Sequence, residues 1–263
     1  MIKAAIINVT GYAGIELARL LHRHPDTELV QVTGRSASGQ KLGDVFPHLS
    51  DINLNVDEEI SASVDVVFSA LPQTASAEAL IPLVEKGVKS IDISADFRLK
   101  SASEYEEWYG VPHPKPQLLE TAAYGLPEIN KSEIKSSSLV ANPGCYPTAA
   151  LLALAPAVRE NIIGEDIIID AKSGVSGAGR SLNLTTHFSE VNENVSAYAV
   201  KGHRHLPEIT QELSRSHNSF TPKITFLPHL IPMTRGILDS CYATLVDNFI
   251  ESNDRTIAKV KDI

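Results

Sequence analysis

The sequence predicts an α/β chain, a doubly wound parallel sheet followed by an α+β domain. Three observations predict it. Short apolar runs alternate with amphipathic runs over the first half of the chain. A glycine-bearing turn, Thr10-Gly11-Tyr12-Ala13-Gly14, separates the first apolar run from the first amphipathic one. Beyond residue 165 the pattern changes to strand-rich sequence. With 263 residues, 43% of them hydrophobic, the chain can bury two modest cores. The expected boundary puts a dinucleotide-binding domain at residues 1–144 and a catalytic, substrate and oligomerisation domain at 145–263.

Lys3–Val9 reads as a fully buried strand, and Ile15–His24 carries apolar residues at helical spacing before Pro25-Asp26 ends it. Strand, glycine turn and helix in that order form a Rossmann-type fingerprint. Gly11 allows the backbone to approach a pyrophosphate, and Gly14 allows the helix to pack on the strand. Thr10 and Tyr12 complete the turn. Asn8 stands in the place of the first fingerprint glycine; asparagine tolerates left-handed backbone better than other side chains do. An NAD site would show Asp or Glu near the end of the next strand, Glu28–Thr33. Here the residues are Gly34-Arg35-Ser36, and a guanidinium beside a hydroxyl suits the 2′-phosphate of NADP(H).

Asp65–Leu71 reads as another buried strand, closed by Pro72, and Ala75–Lys86 as a helix with Gly87 at its C-cap. Val88–Ser94 is a further strand, and Arg98, just beyond it, is a candidate anion clamp at the mouth of a pocket. Ligands of such sheets bind outside the carboxyl ends of the strands, where Gly11, Arg35, Leu71, Pro72 and Ser94 all fall. Residues 100–135 read as an excursion in which Tyr105, Trp108 and Tyr109 serve packing.

The apolar run Ser138–Ala141 then leads into Asn142-Pro143-Gly144-Cys145-Tyr146-Pro147-Thr148 and a buried helix. Cys145 therefore opens a helix, where the first backbone N–H groups lack intrahelical partners and favour a thiolate. Pro147 is tolerated in that first turn. Asp166–Ala171 reads as a strand. Lys172–Arg180 reads as a glycine-rich cationic loop able to cradle a phosphate, with Ser173 and Gly174 expected on the cofactor side and Ser176 and Arg180 on the substrate side. His203-Arg204-His205 precedes a helix over Ile209–Arg215 that opens near Pro207. Lys223–Leu227 and Gly236–Val246 read as strands joined through Pro228–Arg235.

Net charge is −9, which disfavours nucleic acid and anionic membranes as partners. No apolar run reaches the length of a membrane span, and two distant cysteines suit a reducing, cytoplasmic compartment. A helix-activated cysteine, a histidine, a dinucleotide turn and a phosphate loop together fit one reaction. A thiolate displaces phosphate from an acyl phosphate, and a hydride reduces the thioester to an aldehyde. His203 is the first choice for acid/base work, and His205 stays open, because spacing does not decide between them. The backbone N–H of Cys145 is a candidate oxyanion donor.

The cysteine stretch, Asn8–Gly14, Ser94-Ala95-Asp96-Phe97-Arg98, Ser173–Arg180, His203-Arg204-His205-Leu206-Pro207-Glu208 and His229–Gly236 together resemble the N-acetyl-gamma-glutamyl-phosphate reductase family of arginine biosynthesis. The resemblance runs from residue 1 to about 246. It implies NADPH-dependent reduction of N-acetylglutamyl 5-phosphate, with Cys145 as nucleophile and Arg98 and Arg204 on substrate carboxylate or phosphate. It also implies a homo-oligomer, dimer or tetramer, built through the second domain. The family continues with a final helix near the nicotinamide. Asn248–Ile263 is polar and does not read as that helix, so a shortened C-terminus is expected.

Three other readings stay open. One is an aspartate-semialdehyde dehydrogenase-like enzyme of the same chemistry, and another a catalytically silent NADP-binding or subunit-pairing protein. The third is a metal held by His203 and His205, which lack a further ligand at metal spacing.

Overall fold

The computed structural model describes residues 1–246; the expectation for Asn248–Ile263 lies outside them. The chain divides into two compact units, Met1–Pro143 and Gly144–Ile263.

The first unit runs β1 (Ile2–Ile7), α1 (Tyr12–Arg23), β2 (Thr27–Thr33), α2 (Leu42–Val45), β3 (Val56–Asp57), β4 (Val66–Ser69), α3 (Ala75–Glu85) and β5 (Lys89–Asp92). It continues through α4 (Ala102–Tyr109), α5 (Gln117–Thr121), β6 (Ala123–Tyr124), α6 (Pro127–Ser136) and β7 (Leu139–Ala141). The seven strands lie in the order β3-β2-β1-β4-β5-β7-β6, and every pairing is parallel. The chain winds outward from β1 to one edge, then crosses to β4 and winds to the other. The strand order therefore reverses between β1 and β4, where sheets of this kind bind ligands.

Both faces of the sheet are covered, which is why its strands read as near-continuous apolar runs. Ala4 and Ile6 of β1 pack in one layer with Ile15, Ala18 and Leu21 of α1. Ala5, between them, points into the opposite layer with Val67, Ala77, Leu80, Phe97 and Tyr105. Each large side chain fully buried in these layers contributes about 1.5–3 kcal/mol.

The Ser94–Arg98 stretch is a brace. Asp96 accepts hydrogen bonds from the backbone N–H of Thr74 and of Ala77, both 2.8 Å, and so caps α3 from outside it. It also accepts from the Tyr105 hydroxyl at 2.9 Å, which gives the aromatic excursion its anchor. Arg98 differs from expectation. It is only 7% exposed. Its Nε donates to the Asn142 carbonyl and its Nη2 to the Ile93 carbonyl, both at 2.8 Å. Burial makes those carbonyls strong partners, so the guanidinium ties strand ends together rather than standing at a pocket mouth.

The second unit runs α7 (Cys145–Arg159), β8 (Ile163–Gly174), α8 (Phe188–Val191), β9 (Ser196–Ala197), α9 (His205–Ser216), β10 (Lys223–Ile231) and β11 (Ile237–Leu245). Its sheet has the order β11-β8-β10-β9. β10 lies parallel to β8, and β11 antiparallel. The inward face of β8 carries Ile167, Ile169, Ala171 and Ser173. The opposite face leaves Ile168, Leu238 and Tyr242 more than half exposed.

Three boundaries differ from the sequence reading. β8 runs on through Gly174, because Ser173 still pairs with Ile237. β10 continues through Pro228 to Ile231. The Pro228 carbonyl accepts from the Tyr198 N–H, so its N–H position faces away from β8 and the missing donor costs that ladder nothing. α9 opens at His205 rather than near Pro207. Among the described residues no helix is long and apolar enough to cross a membrane.

Candidate active site

In the first unit, the turn after β1 is a dinucleotide cradle by its geometry. A side chain at Gly14 would place its Cβ 2.6 Å from the Asn8 carbonyl oxygen and 2.7 Å from the Val9 Cα. That position must stay bare for α1 to sit on β1. At Gly11, the N-cap of α1, a Cβ would meet nothing within 4 Å, so the helix N-terminus is open to an approaching anion. Tyr12 is exposed at the first position of the helix. Thr10 donates from Oγ1 to the Asn8 Oδ1 at 3.2 Å, and Ser36 donates to Thr10 Oγ1 at 3.4 Å. Arg35 is exposed in the single 3₁₀ turn after β2. Leu71 and Pro72 follow β4, Leu71 half-buried and Pro72 exposed. Thr10, Gly11, Arg35, Ser36, Leu71 and Pro72 thus lie at the carboxyl ends of three adjacent strands, β2, β1 and β4. Open helix N-terminus, bare glycines and a cation after β2 fit the pyrophosphate and 2′-phosphate of a dinucleotide.

In the second unit, Gly144 is the extended N-cap of α7 and Cys145 its first, exposed residue. The Gly144 N–H donates to the Glu208 carboxylate at 2.8 Å. Glu208 is 1% exposed. Tyr146, next to the cysteine, is the hub of an aromatic cluster. His203 and His205 meet its ring edge-on at centroid distances of 5.6 and 5.8 Å, and Phe226 at 5.4 Å. The two histidine rings are 4.7 Å apart. The Tyr146 and Tyr198 hydroxyls share a hydrogen bond of 2.9 Å. Burial raises the pKa of both phenols, and the neighbouring Cys145 adds to each rise.

The two histidines differ in kind. His203 is lowered to about 4, first by burial and then by the adjacent Arg204 charge. Its Nδ1 accepts from the His205 N–H at 3.1 Å, which fixes the tautomer with the proton on Nε2. It is a neutral ring held in an aromatic box. Arg204 is exposed at the N-cap position of α9, with no capping hydrogen bond from its side chain.

The glycine-rich loop differs from its expected role. The backbone N–H groups of Gly174, Val175 and Ser176 donate to the carbonyls of Gly236, Met233 and Thr234. A Cβ at Gly174 would lie 2.8 Å from the Arg235 nitrogen. These amides close a turn against the start of β11 and are not turned toward an anion. Ser173 is 3% exposed and donates to the Gly174 carbonyl at 2.9 Å. Ser176 is half-buried, and Arg180 is exposed.

Glu208, Tyr146 and Tyr198 join this cluster without having been singled out. Glu208 was findable, because it lies one helical turn beyond His205 on the helix face that also carries the buried Ile209, Glu212 and Leu213. No sequence signal marks Tyr198. A further acid stands near the cluster: Asp239 is half-buried, and both its carboxylate oxygens are sealed from solvent and lack a hydrogen-bond partner. Burial raises it to about 6, against the pull of Lys172. Among the described residues no group of three or more potential ligands could hold a metal.

Comparison with known proteins agrees with both units. Residues 3–137 match the family model for the semialdehyde dehydrogenase NAD binding domain, and residues 145–260 the model for the semialdehyde dehydrogenase dimerisation domain. Solved aspartate semialdehyde dehydrogenases share the fold. The one from Candida albicans, with NADP, has a TM-score of 0.74 at 16% identity, over 100% of this chain and 75% of that one. That from Vibrio cholerae has 0.67 at 17%, over 93% and 75%. The chain is therefore an oxidoreductase of the semialdehyde dehydrogenase type, built on a nicotinamide-dinucleotide domain.

Sequence relatives narrow the class. N-acetyl-gamma-glutamyl-phosphate reductase of Dehalococcoides mccartyi is 55% identical over 92% of this chain and 71% of its own length. That of Pelotomaculum thermopropionicum is 53% identical over 93% and 72%. The chain belongs to the N-acetyl-gamma-glutamyl-phosphate reductase family.

Proposed function

We propose that the chain reduces N-acetyl-L-glutamyl 5-phosphate to N-acetyl-L-glutamate 5-semialdehyde with NADPH, in arginine biosynthesis, and that Cys145 is the nucleophile. The observation that carries this reading is an exposed cysteine at the first position of a helix, with two histidine rings packed against the next residue. The Cys145 sulfur attacks the acyl carbon, the carbon–oxygen bond to phosphate breaks, and inorganic phosphate leaves from a thioester. NADPH, when bound, supplies the hydride that reduces this thioester. Hydride addition leaves the thiohemiacetal oxygen as an alkoxide, which re-forms the carbonyl as the carbon–sulfur bond breaks and frees aldehyde and the Cys145 thiolate.

His205 rather than His203 serves as the acid and base. A ring whose pKa is near 4 is a poor acceptor for a thiol proton at neutral pH. His203 instead orients His205 through the bond to its backbone N–H. Glu208 positions the cysteine turn through Gly144. The exposed Arg204 and Arg180, with Ser176, are the substrate-side groups. Arg98 is not counted among them, because it is buried and its Nε and Nη2 donate to backbone carbonyls. Thr10, Gly11, Tyr12, Gly14, Arg35, Ser36, Leu71 and Pro72 form the NADPH side.

Copies of the chain pair through the second unit. The sheet face carrying exposed Ile168, Leu238 and Tyr242 is the surface they cover. An exposed catalytic thiol suits a reducing cytoplasm.

The test is phosphate-dependent oxidation of N-acetylglutamate semialdehyde with NADP, run beside aspartate semialdehyde. Wild-type turnover of the first substrate, abolished in Cys145→Ser with an unchanged circular dichroism spectrum, is the expected result. Normal turnover by the serine variant refutes the mechanism, and preference for aspartate semialdehyde refutes the substrate.

A further inference from the structure

We propose that Asn8 is a positioning residue for the dinucleotide, tying together the ends of the three strands that frame its crevice. The inference rests on the NADPH reading above. Asn8 has φ = 65°, the left-handed conformation a glycine would adopt most easily, and asparagine is among the few residues that tolerate it. Its side chain does what a glycine could not.

The Asn8 Nδ2 donates to the Ala70 carbonyl at 2.9 Å. The β1–β4 ladder ends at Ile7 and Ser69, with a last backbone rung from the Ala70 N–H to the Ile7 carbonyl at 2.9 Å. Past that point β1 turns toward β2, and the Val9 N–H donates to the Thr33 carbonyl at 2.7 Å. No backbone donor of β1 follows β4 any further. The Asn8 amide supplies the missing rung, at the place where the strand order reverses.

The other end of the amide faces β2. Its Oδ1 accepts from Thr10 Oγ1, which in turn accepts from the Ser36 hydroxyl. The hydroxyl protons run one way, Ser36 to Thr10 to Asn8, and the amide passes the chain on to Ala70 through its N–H. One side chain thus connects the residues after β1, β2 and β4. Its neighbours along this chain are the loops assigned above to the cofactor: the Gly11 turn and the Arg35-Ser36 turn on one side, and Ala70-Leu71-Pro72 on the other. Holding those loops before the ligand arrives removes part of the ordering cost of binding.

The test uses the full chain with Asn8→Gly, Asn8→Asp and Thr10→Val. The readouts are NADPH affinity by fluorescence titration, amide hydrogen exchange at residues 8–14 and 70–73, and KM against kcat. Asn8→Gly keeps the backbone conformation and loses both links, so Kd and KM for NADPH should rise about tenfold, with kcat little changed and faster exchange in both loops. Asn8→Asp should weaken NADPH further, and more at low salt, because its charge opposes the Ala70 carbonyl and the pyrophosphate. Thr10→Val, which breaks only the β2 side, should give a smaller rise and guards against a misfolded Asn8 variant. An Asn8→Gly protein that binds NADPH as tightly as wild type overturns the proposal, whether or not its melting temperature falls. A wild-type chain that does not bind NADPH overturns the cofactor reading instead.

Discussion

The backbone N–H of Gly144 donates to the Glu208 carboxylate at 2.8 Å, so a side chain 64 positions further along the chain fixes the turn that presents Cys145. The bond is buried at both ends, and it joins the first turn of α9 to the first turn of α7. Removing the acceptor leaves a sealed N–H without a partner, which costs about 1–3 kcal/mol. Glu208→Leu should lose about that much stability by urea denaturation, and kcat/KM on the order of 100-fold. Glu208→Gln keeps an oxygen for Gly144 and should retain most of both.

The two histidines should separate by pH. His203 lies near 4, so it stays neutral across the working range and contributes no titration between pH 5 and 9. His205→Asn should lower kcat/KM on the order of 100-fold. His203→Gln should lower it less and leave the shape of the pH profile between pH 5 and 9 unchanged. A profile whose shape changes in that range on removing His203 would reverse the assignment.

Asp239 should make the protein less stable at neutral than at mildly acid pH. Its folded pKa of about 6 lies above the ordinary 3.8. The folded state therefore holds the proton more tightly than the unfolded chain. That contribution is fully present below pH 4 and is lost as pH rises through 6. Allowing for screening at a partly exposed residue, the loss is about 1–2 kcal/mol. In Asp239→Asn the pH-dependent part should vanish. Relative to wild type, the variant should gain about that amount between pH 4 and pH 8 in parallel denaturant titrations.

Arg35 should set the choice of cofactor. It stands exposed after β2, beside Ser36 and with no carboxylate at the end of that strand to bind a ribose hydroxyl. Arg35→Ala should weaken NADPH about tenfold or more while changing NADH less than about threefold, measured as Kd by fluorescence. Equal losses would remove the 2′-phosphate from this position.

Much of the first unit is legible from Ala4, Ala5 and Ile6 alone. Adjacent apolar residues that must point to opposite faces imply a sheet covered on both sides, and hence parallel strands with helical crossovers. The cysteine turn is equally legible, because proline and glycine punctuate it. What is not legible depends on pairing between distant strands. The loop at Gly174–Ser176 reads as a phosphate cradle in isolation. Only the return of residues 233–236 shows that its amides are engaged. Pro228 reads as a strand breaker until Tyr198 is seen on the side where its N–H would have been. Arg98 reads as an anion clamp because nothing local reveals the carbonyls of Ile93 and Asn142 around it.

β8 pairs with β10 from residue 223 onward and with β11 from residue 237 onward. During synthesis its isoleucine-rich length therefore waits, with both edges open, for some fifty residues or more until its neighbours leave the ribosome. Such a strand is a template for pairing with another chain. Nascent chains of this protein should be most vulnerable to aggregation in that interval, well after the first unit has closed its own sheet.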